Sequence, residues 1–438
     1  MMKKIIIVFT LTLNAVFCTS AGAQVNKVLT LREAISLAEE NNSDIVKSRL
    51  DLMIAKTQVS EAYADNLIPS LTLTSNYTRA FKKQVFTIFG ENIEIGTDNA
   101  ILNTLYLQES IPILGTPVFQ GIRIAEYYEK LNSETLNSVK VSVKQDVTEA
   151  YLNVLFAKEI LDVNNERMKN SSDNFAVVES RYRNGVATEF DLLRSKVTME
   201  NIIPVIDKSE NDLKLSKLFL KQIIGIKPED NIEVTGRLTY DSIEIFSNTD
   251  ELINRIVENN VAVRQLKISR QINSELSRVE EKTLLPKLSV FGQYQLGANE
   301  NDDKSISDYR FFNTLSAGIN LTWDLNIFRK GHAIDRTELE VRKSDENILD
   351  AKRKLRTQAE SVILSMEDAK KRIISQKENV RLAERSLELA NLSFLNGTAT
   401  QLDILNTQLT LSETQLGFYQ AIFDYLVAKS KLEELLEK

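Results

Sequence analysis

Residues 314–325 read Thr-Leu-Ser-Ala-Gly-Ile-Asn-Leu-Thr-Trp-Asp-Leu. Leu315, Ala317, Ile319, Leu321, Trp323 and Leu325 alternate without a break with Thr314, Ser316, Gly318, Asn320, Thr322 and Asp324. Period two of this kind marks a strand with one face suited to lipid and the other to water. Three further stretches share the character. Leu288, Val290, Tyr294 and Leu296 alternate with Ser289, Gln293 and Gln295, and Leu71, Leu73 and Tyr77 alternate with Thr72, Thr74, Asn76 and Thr78. The stretch from Ile101 to Glu109 alternates less cleanly. Strands are predicted over about 70–81, 101–112, 287–297 and 312–325, close to the roughly 10 residues of a tilted membrane strand. Tyr77, Tyr294 and Trp323 are candidates for the interfacial aromatic girdle.

Four strands cannot close a barrel alone. Open edges in hydrocarbon strand backbone groups at several kcal/mol each, so closure requires further copies of the chain. The sequence predicts an obligate homo-oligomer without giving the number of copies.

The chain repeats itself. Glu40-Asn41-Asn42 recurs as Glu258-Asn259-Asn260, and Leu67-Ile68-Pro69-Ser70-Leu71-Thr72 as Leu284-Leu285-Pro286-Lys287-Leu288-Ser289. Asn103-Thr104-Leu105 recurs as Asn313-Thr314-Leu315. Asn184-Gly185-Val186-Ala187-Thr188 with Asp191 recurs as Asn396-Gly397-Thr398-Ala399-Thr400 with Asp403. Offsets of about 210 to 218 positions indicate duplication of one large unit. Each unit reads as helix, strand pair, very long helix, tight turn and returning helix, with 24–224 as the first repeat, 225–250 as a non-helical linker and 251–438 as the second.

Ile348, Ala351, Leu355, Ala359, Val362 and Met366 begin a run of three- and four-residue steps that continues to Phe394, the mark of a heptad seam. Val139, Val143, Val147, Ala150, Val154 and Leu161 repeat it in the first half, where a helix from Gly121 to Arg183 would extend about 95 Å. Each half is therefore expected to hold an antiparallel helical hairpin, and Pro204 should bend the first returning helix.

Lys3 and Lys4, the apolar run Ile5 to Val16 and Ala21-Gly22-Ala23 read as an export signal over residues 1–23. Phe17 before Cys18 argues against a lipidated start. Loss of Cys18 would leave no cysteine, which removes disulfides, thiolate metal sites and cysteine nucleophiles from consideration. The formal charge of −7 becomes about −9 without Lys3 and Lys4, a sign that argues against a nucleic-acid partner. No cofactor or metal site is expected. The only histidine, His332, is expected to be a solvated junction residue.

Duplicated halves, a Leu-x-Pro helix-to-strand switch, paired amphipathic strands and Asn-Gly-x-Ala-Thr-x-x-Asp turns together make the chain resemble the TolC-like outer-membrane efflux proteins. The resemblance implies a mostly α fold with a membrane β-barrel, a homotrimer of twelve strands over an α-barrel tunnel in the periplasm. It implies no enzyme. It also implies the passive exit duct of a tripartite efflux pump or a type I secretion system, opened by docking of a periplasmic adaptor and driven by an inner-membrane pump. In such proteins the turns matching Asn184-Gly185 and Asn396-Gly397 form the periplasmic tip where the adaptor docks, and Thr188 and Thr400 belong to the same turns. Asp403 matches a position whose carboxylates ring the channel entrance, with Asp191 as its counterpart in the first half and Asn406 where some members have a second aspartate. Ala399 and Phe394 stand where some members carry a latch arginine and tyrosine, so closure would use other contacts, with Arg181, Arg183 and Arg194 as candidates.

Local physics offers a plainer role for the same residues. Thr188-x-x-Asp191 and Thr400-x-x-Asp403 have capping-box spacing, and both roles can coexist. Lys82 to Asn99 and Asn299 to Tyr309 are expected to be extracellular loops. An enzyme finds no phosphate loop, nucleophile elbow or ligand cluster. A surface-anchored coiled-coil fibre or adhesin would suit the heptads, but not two separated strand pairs.

Overall fold

The computed structural model describes residues 27–111, 115–240 and 248–436. The expected signal, residue 112 of the second predicted strand and part of the linker lie outside them. The first half runs β1 (Lys27–Leu29), α1 (Leu31–Asn41), α2 (Ser43–Leu67), β2 (Ser70–Arg79), β3 (Gln84–Ile88), β4 (Glu91–Ile95), β5 (Asn99–Ile111), α3 (Val118–Arg183), α4 (Glu189–Glu200) and α5 (Ile203–Ile224). The second runs β6 (Ile232–Val234), α6 (Thr249–Asn259), α7 (Val261–Lys282), β7 (Lys287–Glu300), β8 (Phe312–Thr322), α8 (Ile327–Leu395) and α9 (Gln401–Leu436).

The repeated Asn-Asn pairs break one helix and start the next. Asn42 and Asn260 leave helical geometry at ψ 127° and 138°. Their side-chain oxygens then accept the backbone N–H of Asp44 at 2.8 Å and of Ala262 at 2.9 Å. Each therefore caps the helix that rises to the sheet. At the far end Pro69 and Pro286 follow residues pushed to extended geometry and open the strands.

The four long strands form one antiparallel sheet in the order β2-β5-β7-β8. Its register sorts side chains by face. Leu73, Leu105, Tyr294 and Leu315 stand in one rung, and Leu71, Leu107, Gly292 and Ala317 in the next. The opposite face carries Thr74, Thr104, Gln295 and Thr314, then Thr72, Tyr106, Gln293 and Ser316. Leu73, Leu315 and Ile319 are 71%, 80% and 70% exposed, values that a water-facing sheet of this size would not sustain. The polar edges of the sheet, β2 and β8, have no strand beyond them among the described residues.

α3 and α8 contain 66 and 69 residues and are therefore about 99 Å and 104 Å long. Ala359, Ile363, Met366, Ala369 and Ile373 bury the heptad seam of α8 against α9, while Val143, Val147, Tyr151 and Val154 do the same on α3. Alanine at the seam lets the helix axes approach closely. The returning helix of the first half is divided. α4 ends at Glu200 and α5 begins at Ile203 because Pro204, at the start of α5, has no N–H to continue the ladder.

Two regions carry more structure than their sequence announced. The linker contains β6, paired in parallel with β1 and held to α3 by the Tyr151 hydroxyl, which donates to the Thr235 carbonyl at 2.6 Å. Within the loop Lys82 to Asn99, β3 and β4 form a hairpin through Phe89 at φ 55° and Gly90 at φ 84°. A phenylalanine in left-handed geometry is rare, and this turn lacks the usual Asn-Gly signal.

Candidate functional site

The two helical hairpins turn at the end farthest from the sheet, and both turns are built alike. Gly185 at φ 73° and Gly397 at φ 75° take the left-handed conformation, not the asparagines before them, which stay at φ −91° and −81°. Val186 N–H donates to the Arg181 carbonyl at 2.8 Å and Gly185 N–H to that of Tyr182 at 2.9 Å. Thr398 N–H and Gly397 N–H donate to Ser393 and Phe394 at 2.9 Å and 3.1 Å. These paired bonds are the Schellman ending that satisfies the last carbonyls of a helix.

The returning helices start with capping boxes. Asp191 N–H donates to Thr188 Oγ1 at 3.1 Å, while the Thr188 hydroxyl donates to Asp191 Oδ2 at 2.7 Å. In the second half Thr400 donates to Asp403 Oδ2 from its backbone N–H at 2.8 Å and from its hydroxyl at 2.7 Å. The Thr400 hydroxyl, followed by its N–H, holds the Asp403 carboxyl below the usual carboxylate range. Asp403 stays charged and is exposed. Asn406 is exposed one turn further along α9.

Contacts between the halves tie the tips together. The Gln401 amide donates to the Asp191 carbonyl at 3.0 Å. Arg181 Nη1 donates to the Phe394 carbonyl at 2.9 Å, and its guanidinium lies 4.5 Å from the centre of the Phe394 ring. Val178, Phe394 and Ile404 form a small apolar core beneath. Of the three arginines singled out, Arg181 alone bridges the halves in these contacts. Arg183 pairs with Glu179 at 2.9 Å and Arg194 stacks on Phe190 at 4.4 Å. The Arg181–Phe394 pairing escaped sequence reading because it joins positions 213 residues apart.

At the sheet, Tyr77 donates to Asn99 Oδ1 at 2.6 Å near the loop end. Tyr294 stands at mid-strand opposite Leu105 and Leu315. Trp323 lies just beyond β8, whose pairing stops at Thr322 where the chain turns toward α8, and its indole N–H donates to the Leu284 carbonyl at 3.0 Å. His332 is exposed near Asp335 at 3.8 Å, and the described residues hold no cluster of three metal-ligating side chains. None of their helices is long and apolar enough to cross a membrane.

The outer membrane efflux protein family model matches residues 34–225 and again residues 252–437. The chain belongs to this family. Among relatives of this efflux protein is Nodulation protein T of Rhizobium leguminosarum bv. trifolii, 20% identical over 86% of this chain and 78% of the relative. Outer membrane protein TolC of Escherichia coli K12 is 20% identical over 95% of this chain and 84% of its own length. In fold, the efflux protein superimposes on a membrane protein from Pseudomonas aeruginosa with a TM-score of 0.77, at 16% identity over 93% of each chain. VceC from Vibrio cholerae gives a TM-score of 0.73 at 14% identity, over 93% of this chain and 96% of that one. The mostly helical fold is thus that of the TolC-like channels. The efflux protein is an outer-membrane exit duct with a helical tunnel in the periplasm, from a family of channels and not of enzymes.

Proposed function

We propose that three copies of the efflux protein close one twelve-stranded barrel, each giving β2, β5, β7 and β8, above a tunnel made of their long helices. The observation that carries this reading is the sheet itself, apolar on one face, polar on the other and open at both edges. In lipid those edges must pair, and a neighbouring copy supplies antiparallel partners because β2 and β8 run in opposite directions. The two family matches accord with repeats over 24–224 and 251–438 joined by 225–250. Tyr77 and Trp323, near the two ends of the strands, would face the lipid boundary as the aromatic girdle, whereas Tyr294 at mid-strand falls between the two interfaces.

The tips are the adaptor-docking and gating end, with Asn184, Gly185, Thr188, Asn396, Gly397 and Thr400 shaping the docked turns. Asp191, Asp403 and Asn406 line the entrance, where carboxylates favour cations. A periplasmic adaptor engages this end and an inner-membrane pump drives solute through a passive duct. Single-channel recording tests the assignment. Asp403→Ala should lower cation selectivity and weaken block by divalent cations, and unchanged conductance and block would remove Asp403 from the entrance.

A further inference from the structure

The open edges of the sheet continue into helices whose outward faces are also unpartnered. α2 rises into β2 and packs on α3, with Ser48 and Ala55 buried and the Tyr63 hydroxyl donating to Glu126 Oε1 at 2.9 Å. Its opposite face presents Leu50, Ile54 and, nearest the sheet, Glu61, all exposed. α8 descends from β8 and meets α7 through Thr337 and Ser344, which contact Ser277 and Asn273. Its opposite face presents Phe328, His332, Asp335 and Leu339, again all exposed, with Arg336 on the flank between that face and α7.

The two faces differ in charge near the sheet. Beside the start of α8 lies a cavity of about 670 Å³ lined by Lys287, Arg329, Lys330 and Arg336, against Glu280 and Asp324. Its cations are unequally neutralised. Lys330 is buried on the Thr283 and Asp324 carbonyls, and Arg329 pairs with Asp324 at 3.1 Å. Arg336 reaches Glu280 only at 4.0 Å and is 72% exposed. Lys287 has no ion pair among the described residues. On α2, Glu61 likewise has no ion pair among the described residues, and Asp65 follows it one turn nearer the sheet.

We propose that Glu61 of a neighbouring copy seats against Arg336 at the mouth of this cavity, a charge lock between copies where barrel meets tunnel. The inference rests on the closure of β2 against β8 argued above. That closure brings the end of one α2 beside the start of the next α8, antiparallel and at the same level. Ile54 then lies at the level of Leu339, with Leu50 about 7 Å further toward the tunnel, so the seam is apolar toward the tunnel and charged toward the membrane. Asp65 adds to the negative end and Arg329 to the positive one. An ion pair set between helices and partly withdrawn from water gains more than a free surface pair.

The test uses the full chain extracted from membranes in detergent, with trimer dissociation followed against temperature and time. Glu61→Arg alone and Arg336→Glu alone should each speed dissociation, by roughly fivefold per seam, and more steeply at low salt. The double exchange should recover most of the original rate, short of the cost of a carboxylate at position 336 facing Glu280 of the same chain. Both side chains are exposed in the single chain, so neither reversal disturbs a core. An unaltered protein that runs as a monomer would overturn trimer closure and the lock with it. A stable trimer indifferent to both single reversals, or a double exchange no better than either, would overturn the lock alone.

Discussion

Gly397 offers a clean measure of what holds the tips, because its surroundings and its backbone make different demands. A Cβ built on Gly397 meets nothing within 4 Å, so a larger residue finds room. The φ of 75° is the sole obstacle. Left-handed geometry costs an L-residue about 1–2 kcal/mol, more for a β-branched side chain and less for asparagine. Gly397→Val should therefore weaken the bonds from Gly397 and Thr398 N–H to Phe394 and Ser393 by about that amount. At 1.4 kcal/mol per factor of ten, amide exchange there should quicken by roughly 5- to 30-fold. Gly397→Asn should change it by no more than a few-fold, and adaptor cross-linking should fall in the valine variant while staying normal in the asparagine variant. Hydrogen exchange resolved to residues 392–404 provides the assay. Equal protection in the two variants would refute the backbone argument, since they differ chiefly in their tolerance of positive φ.

Three further outcomes follow from geometry already given. The Asp403 carboxyl is held low by Thr400, so the charged cap is complete above the ordinary aspartate range and is lost only as pH falls through the depressed value. Thr400→Val should raise that titration toward the ordinary range; under the proposed entrance role of Asp403, divalent-cation block should then be lost at a higher pH than in the unaltered channel. Arg181→Leu removes the bond to the Phe394 carbonyl and the stacking on its ring, about 1–3 kcal/mol. Proteolytic cleavage at residues 392–400 should accelerate while the trimer persists. At the sheet end, Gly115 lies so close to Leu285 and Pro286 that a Cβ would strike their backbone carbonyls. Gly115→Ala should cost about 1–3 kcal/mol, read as earlier thermal dissociation in detergent.

The parts of the fold legible in the sequence were those with a period or a repeated motif. Alternation around Leu315 and Leu71 identified strands because each face meets a different solvent, and the three- and four-residue steps on α3 and α8 identified helices by their buried seam. The Asn-Gly turns and Thr-x-x-Asp boxes were legible because their bonds lie within a few residues. What lacked such a signal was missed. The β3–β4 hairpin turns on Phe89, and β6 is three residues long and depends on β1 for pairing. Trp323 continues the alternation of β8 without belonging to its ladder. At the tip, the capping of Asp403 was readable, whereas Arg181 on Phe394 depends on the packing of two distant hairpins.

The oily face of the β2-β5-β7-β8 sheet also bears on the time before assembly. A newly exported chain must cross an aqueous compartment with Leu71, Leu73, Leu315 and Ile319 already patterned for lipid. Such a ribbon invites premature stacking with any similar one it meets. Safe delivery therefore depends on the strands staying apart until neighbours and bilayer are available together, which makes insertion a meeting of copies rather than the placing of a finished part.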